Sequence, residues 1–389
     1  MRAEAIDILA SLIGLSDDSG AQAIATLVSL ARDPGSAPLL AGRDVASWVD
    51  AAARHPALVA RLRVLAWDLL LVARPADADQ TYAAFLAKWR ESPLADRLEA
   101  ARWLNQHGKP AMSLQLSNAQ RDGSSEWFLV YLDSLAATGR WDSVLESLQN
   151  SSGSAAAMPP ALRAVFAMRA RTELGQTFDK AEVWRDIQIL VPGETVPNQL
   201  YIAQYAEKVG EAGQASSIFR RLLEETSPGS TLKQELTREE KFACYSGVIR
   251  LTPGNAPAAE LLPLFDGLAG QFPEMAEAAN DAIYLRLLTG EANPKMRERS
   301  RELLAKNPAV LAYRTTCALY ELRAGDAAAA AKLYEGWQID WKTAPDRFKV
   351  VRVAVLDAIG KKEDAQTLRD SIDAKRLRPE EVKLLDAKP

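Results

Sequence analysis

A chain of 389 residues is longer than one globular core ordinarily fills, so it divides into several domains or forms one elongated array. Its 47 basic and 51 acidic residues nearly balance, with a net charge of −4 and a pI near 5.6, which is poor material for coating a phosphate backbone. Two cysteines, Cys244 and Cys317, set no disulfide framework, and no run reaches the roughly 18 apolar residues of a spanning helix; the nearest, Val64 to Ala73, is interrupted by Asp68.

The first 55 residues predict short helices at irregular spacing, over Ala5 to Leu15, Gln22 to Arg32 and Val45 to Arg54. They read as a degenerate unit or a cap, since the ends of helical arrays are atypical. Met1 leads almost straight into a helix containing Asp7, so no signal peptide is expected. The compartment stays open between the cytoplasm and an exported or anchored protein whose N-terminal segment was removed. From residue 56 to 373 the pattern is one of helical hairpins. Ala57 to Val72 and Asp79 to Arg90 flank a break at Arg74 to Asp77. Ser92 is placed to cap a helix opened by Pro93, with Leu94, Leu98, Ala101 and Leu104 on one face. Ser125 opens a helix ending at Thr138, and Pro159-Pro160 precedes one ending at Leu174. Asn150 to Ala157 is the expected mobile joint, and Ser227 to Ser230 an inserted loop. Thr237 to Glu240 forms a capping box. Asn307 to Trp337 reads as a complete hairpin, with Pro308 opening the first helix, Gly325-Asp326 at the turn and Ala327 to Tyr334 returning. Residues 374–389 are expected to form a tail with a short capping helix.

A register of turn glycines ties these hairpins together. Gly108, Gly139, Gly175, Gly210, Gly254, Gly290, Gly325 and Gly360 are separated by 31, 36, 35, 44, 36, 35 and 35 residues. Pro75 stands 33 residues before Gly108 and fills the same slot. The fold class expected is therefore all-α: a right-handed α-solenoid of antiparallel helix-turn-helix repeats with a period of about 35 residues. The Gly210 unit carries Ala203, Ala215, Phe219 and Leu222 around its turn, and the Gly325 unit carries Ala318, Ala330 and Tyr334. Gly254 has Gly247 and Ala259, Gly360 has Ala365, and Gly175 has Pro192. On these residues the chain resembles the tetratricopeptide repeats, in the degenerate form found in bacteria. Ser113, Val144, Lys180 and Lys295 depart from the alanine of that pattern.

Little in the chain points to chemistry. His55 and His107 are its two histidines, each near an expected helix end, and read as structural polar groups rather than zinc ligands. Nucleotide-binding, serine-hydrolase, zinc-protease and EF-hand motifs are absent from the sequence. Adjacent acids such as Glu239-Glu240 point about 100° apart on a helix and do not converge as acid–base pairs. No catalytic residue, metal or cofactor is expected. Six of nine tryptophans fall before residue 150 and read as core, while Trp337 and Trp341 could share one helix face. Lys295, Arg297, Arg299 and Arg301, interleaved with Glu298 and Glu302, read as a solvated face.

The resemblance implies a groove lined by the first helix of each hairpin, at positions six and three before the turn glycine. Those places hold Arg102 and Asn105, Asp133 and Ala136, Arg169 and Thr172, then Gln204 and Glu207. Farther on they hold Val248 and Leu251, Tyr284 and Leu287, Leu319 and Leu322, and finally Ala354 and Asp357. The lining thus turns from polar to apolar. Either the apolar half anchors a partner's side chains, or the later helices are rotated and these residues are ordinary core. The lysine that tetratricopeptide clamps place ten before the first turn glycine is missing, so a grip on a partner's terminal carboxylate is not expected. The function expected is a non-enzymatic protein–protein interaction scaffold binding a peptide segment or partner subunit, with self-association open. An all-α enzyme with a cleft between repeats is the alternative, and an RNA-binding repeat, disfavoured by charge, comes after it.

Overall fold

A computed structural model describes residues 2–31, 35, 37–118, 124–149, 157–225 and 235–387. Among them the chain is all-helical, with no strand, and it divides into two compact units, Met1–Leu190 and Val191–Pro389.

The first unit opens with α1 (Arg2–Leu12), α2 (Asp18–Ala31), α3 (Ala37–Leu40), α4 (Val45–Arg54), α5 (Ala60–Leu65), α6 (Asp68–Ala73) and α7 (Ala78–Arg90). It continues with α8 (Leu94–Gln106), α9 (Pro110–Ser117), α10 (Ser125–Ala137), α11 (Trp141–Gln149), α12 (Pro160–Glu173) and α13 (Lys180–Leu190). The second unit contains α14 (Val196–Lys208), α15 (Ala212–Glu225), α16 (Arg238–Leu251), α17 (Ala258–Gln271), α18 (Ala276–Leu288) and α19 (Pro294–Lys306). It ends with α20 (Leu311–Arg323), α21 (Ala327–Lys332), α22 (Asp346–Ala358), α23 (Lys362–Arg369) and α24 (Pro379–Asp386).

Packing is sequential within each unit. From α8 to α13, and again from α14 to α23, every helix lies against the next one. First helices also meet one another: α8 packs on α10, α18 on α20 and α20 on α22. The turns explain the regularity. At Gly108, Gly139, Gly175, Gly210, Gly290, Gly325 and Gly360 the backbone is left-handed, with φ between 65° and 94°. Around each, the glycine N–H donates to the carbonyl three residues back and the next N–H to the carbonyl five back from itself, as in Gly210 to Glu207 at 3.1 Å and Glu211 to Ala206 at 2.9 Å. This double closure satisfies carbonyls that the helix end leaves open, and glycine reaches it without a Cβ penalty.

Gly254 departs from the set. Its φ is not positive, and α16 ends at Leu251 in an extended Thr252. The hairpin therefore turns through a longer loop, Thr252 to Pro257, and its register slips by one: Ala258 is buried, whereas Ala259 is exposed. Other expectations are corrected similarly. Pro308 sits in a turn before α20, which starts at Leu311. Ala57 to Val72 is two helices with a turn at Ala66-Trp67, and Pro75 starts a 3₁₀ turn, Pro75–Asp77. Ser92 donates back to Lys88 O at 3.1 Å and does not cap α8, whose N-cap residue is Pro93. Trp337 and Trp341 share no helix, since the chain between α21 and α22 is non-helical. The joint expected at Asn150 to Ala157, apart from Ala157, and the loop Ser227 to Ser230 lie outside the described residues.

The core follows the small-residue pattern. Ala101, Ala203, Ala215, Ala318, Ala330 and Ala365 are fully buried. Ser113 occupies an alanine slot because its hydroxyl is satisfied, donating to Ala101 O at 2.9 Å with Ser134 Oγ 2.9 Å away. In the first unit one hydrophobic cluster runs from Ile6 to Val130, so helices α1 to α4 share a core with α5 to α10. Trp67, Trp89, Trp103 and Trp127 are buried in it, and Trp48 packs against it. Gly247 marks a close approach of α16 to α15, where an added Cβ would stand 2.6 Å from the Phe219 ring.

Candidate binding face

Of the first-helix positions of the first unit, Arg102, Asn105, Asp133 and Arg169 are half-exposed and polar, Thr172 is exposed, and Ala136 is buried. Arg102 reaches Glu99 at 2.5 Å and Glu126 at 3.7 Å. Asn105 Nδ2 donates to Val130 O on α10 at 3.3 Å, tying two first helices together. Arg169 lies over the Trp141 ring at 4.8 Å, and Asp133 is half-buried beside buried Ser134. Thr172 is exposed, its hydroxyl donating to Met168 O at 2.9 Å. Arg102 also lines a cavity of about 280 Å³ with Arg61, Val64, Leu65, Glu99, Trp103 and Gln106. Its floor is rigid. Trp103 stacks on Phe85 at 4.1 Å and donates to Asp68 Oδ1 at 2.7 Å, and His107 Nε2 stands 3.2 Å from that oxygen.

The second unit begins in the same style. Gln204 is exposed, and Glu207 holds Arg250 through both carboxylate oxygens, at 2.5 and 2.7 Å. The guanidinium hydrogen bonds hold Glu207 below the usual carboxylate range, and the carboxylate raises Arg250 in return. Arg250 lies three before Pro253, which is where a regular turn glycine would fall on α16. The slip at Gly254 thus puts Arg250 on the face and turns Val248 into fully buried core.

Beyond α16 the expected apolar lining is covered. Tyr284, Leu287 and Leu319 are buried, at 5%, 0% and 0% exposure. They are not open to a partner in this conformation, in keeping with the reading of these residues as core. For Tyr284 the covering element is visible: it is the chain's own C-terminal segment. After a 3₁₀ turn, Ala374–Arg376, the segment packs back on α22 and α18 through α24. Tyr284 Oη lies 3.0 Å from Glu381 Oε1, and Glu381 Oε2 accepts from the Arg378 backbone N–H at 2.9 Å. Burial pushes the Tyr284 phenol well above its usual range, with the Glu381 charge adding, so Tyr284 remains a donor. Glu380 accepts from the Ala258 N–H at the start of α17, at 3.1 Å, and Arg378 donates to Ala256 O at 2.5 Å. At the other end Arg369 binds Asp357 at 2.6 Å and Leu385 O at 3.4 Å. Leu322, Arg323, Ala354, Asp357 and Ala358 then line a cleft of about 180 Å³ with Leu384 and Ala387.

The expected positions Tyr284, Leu322, Ala354 and Asp357 therefore converge on one element, the short C-terminal helix α24, which falls within the tail expected to carry a short capping helix. Its helix was legible in Arg378-Pro379-Glu380-Glu381 followed by Val382, Leu384 and Leu385; its seat was not, because the contacts span about 120 residues of chain. The remaining candidates are structural. His55 Nε2 lies 2.8 Å from Leu15 O. Arg297 and Arg301 both bind the buried Glu321 at 2.7 Å. Burial pushes the Cys244 thiol up to about 12. Among the described residues, no group of three or more His, Cys, Asp or Glu side chains is placed to hold a metal ion, and no helix is long and apolar enough to cross a membrane. No family model and no curated protein matches the chain.

Proposed function

We propose that the protein is a non-enzymatic interaction scaffold, a right-handed solenoid of tetratricopeptide-like hairpins whose first helices form a groove for a segment of a partner protein. The observation that carries this reading is the seat of α24. The first helices α18 and α22 already take up a short amphipathic helix: Tyr284 and the Ala258 N–H of α17 meet its carboxylates, and its Leu384 lines one cleft with Leu322, Ala354 and Ala358. That is the helix-in-groove mode of recognition, supplied here within one chain. Each unit by itself presents polar first-helix positions suited to mixed-charge partners: Arg102, Asn105, Asp133, Arg169 and Thr172 in the first, Gln204 and Glu207 in the second. Charge alternation along such positions suits register and partner choice more than raw affinity.

The test is affinity capture from the source organism with mass spectrometry, comparing the intact chain with Arg102→Glu and Arg169→Glu. Both variants should lose the captured partner while keeping the melting temperature within a few degrees, because half-exposed ion pairs such as those of Arg102 and exposed cation–π contacts such as that of Arg169 each contribute about 1 kcal/mol or less. Partner capture unaffected by both substitutions, or turnover of a small molecule by the purified chain, would overturn the reading.

A further inference from the structure

We propose that the seat of α24 is a binding site for a partner's helix, which displaces the chain's own C-terminal segment and carries two consecutive acids followed by two apolar residues. The inference rests on the scaffold reading and names the class of partner.

Three observations carry it. The first is direction. A further repeat would stack mainly on the outer helix α23, whereas α24 packs chiefly on the first helix α22 and reaches back to α18. It occupies the face rather than extending the array. The second is the division of chemistry along the seat. One end offers donors: the Tyr284 hydroxyl to Glu381, and the Ala258 N–H at the start of the 14-residue helix α17 to Glu380. Such a helix start favours a carboxylate. At the other end Leu384 shares an apolar-walled cleft with Leu322, Ala354 and Ala358, and Arg369 donates to the Leu385 carbonyl of the incoming helix. An occupant is thereby specified: carboxylates in its first turn and large apolar residues three and four positions after the second acid. The third is incomplete fit. Leu384 and Ala387 leave the cleft of about 180 Å³ beside them, so a bulkier side chain there gains contacts that the resident segment lacks.

The experiment uses the full chain with Leu384→Asp and Leu385→Asp together, which expels the segment while leaving every receptor residue in place. The probe is a fluorescein-labelled peptide of residues 374–389, followed by anisotropy. The double variant should bind it, the wild type at least tenfold more weakly because its own segment competes, and a Glu381→Ala peptide at least tenfold more weakly than the parent. A peptide with Leu384→Phe should bind several-fold more tightly than the parent. Should the double variant lose its helical circular dichroism, a protease site inserted after Asp373 serves instead: after cleavage, labelled peptide should exchange for the resident fragment. A folded or cleaved protein that takes up no peptide would overturn the proposal. So would a wild-type dimer that the double variant abolishes, since the occupant would then be a second copy's segment. Failure here with partner capture still sensitive to Arg102→Glu would leave the scaffold reading standing and remove only this site.

Discussion

The turn glycines allow a test in which one member of the set serves as the control. Gly325 has φ of 83°, and a Cβ built on it meets no heavy atom within 4 Å, so Gly325→Ala adds no clash. The cost is purely conformational, about 1–2 kcal/mol for an L-residue held left-handed. Gly254 also has open space for a Cβ, yet its φ is not positive. Gly254→Ala should therefore be neutral or stabilising by up to about 0.5–1 kcal/mol, through the unfolded chain alone. Both residues lie in the second unit, so they report on the same transition. In urea unfolding followed by far-ultraviolet circular dichroism, with a slope of about 2 kcal/mol per molar, Gly325→Ala should lower the midpoint by about 0.5–1 M and Gly254→Ala should not lower it. Equal losses for the two, or an unmoved midpoint for Gly325→Ala, would refute the claim that left-handed closure makes these turns regular.

Other substitutions probe the packing and the charges. Gly247→Ala drives a methyl into the Phe219 ring and should cost about 1–3 kcal/mol by overpacking, measured by the same unfolding experiment; a companion Phe219→Leu should recover part of it. Asp281 is held above its usual range by burial, against the opposing pull of Arg347 and Arg378. A carboxyl with a raised folded value has no net effect below the unfolded value of about 3.9 and costs stability as pH rises through its folded value. Asp281→Asn should therefore raise the melting temperature near pH 7.5 and leave it unchanged near pH 3.5; a lower melting temperature at neutral pH would contradict the assignment. Arg250→Glu should weaken partner capture with a stability loss of about 1 kcal/mol or less, and adding Glu207→Arg should restore the pair.

The local signals in the sequence were strong where the physics is local. Gly210 and Gly325 announced their turns because only glycine enters that backbone region cheaply, and Thr237 with Glu240 announced a cap whose two hydrogen bonds, at 2.8 and 3.2 Å, both form. Gly254 misled because glycine also serves ordinary turns, and the resulting slip carried Val248 from face to core and Arg250 from flank to face. Tyr284 and Leu322 drew attention as apolar residues at groove positions. The reason for their character lies about 60 to 100 residues away in α24, and nothing in the periodicity of α18 or α20 encodes that contact.

The central claim, that a partner is received on the face built by the first helices, is tested most directly by site-specific photocrosslinking. A photoreactive residue at Gln204, exposed on first helix α14, is compared with one at Glu298, exposed on second helix α19. The account predicts a discrete partner adduct from Gln204 and none from Glu298. Adducts of equal yield from both positions, or from Glu298 alone, would contradict it.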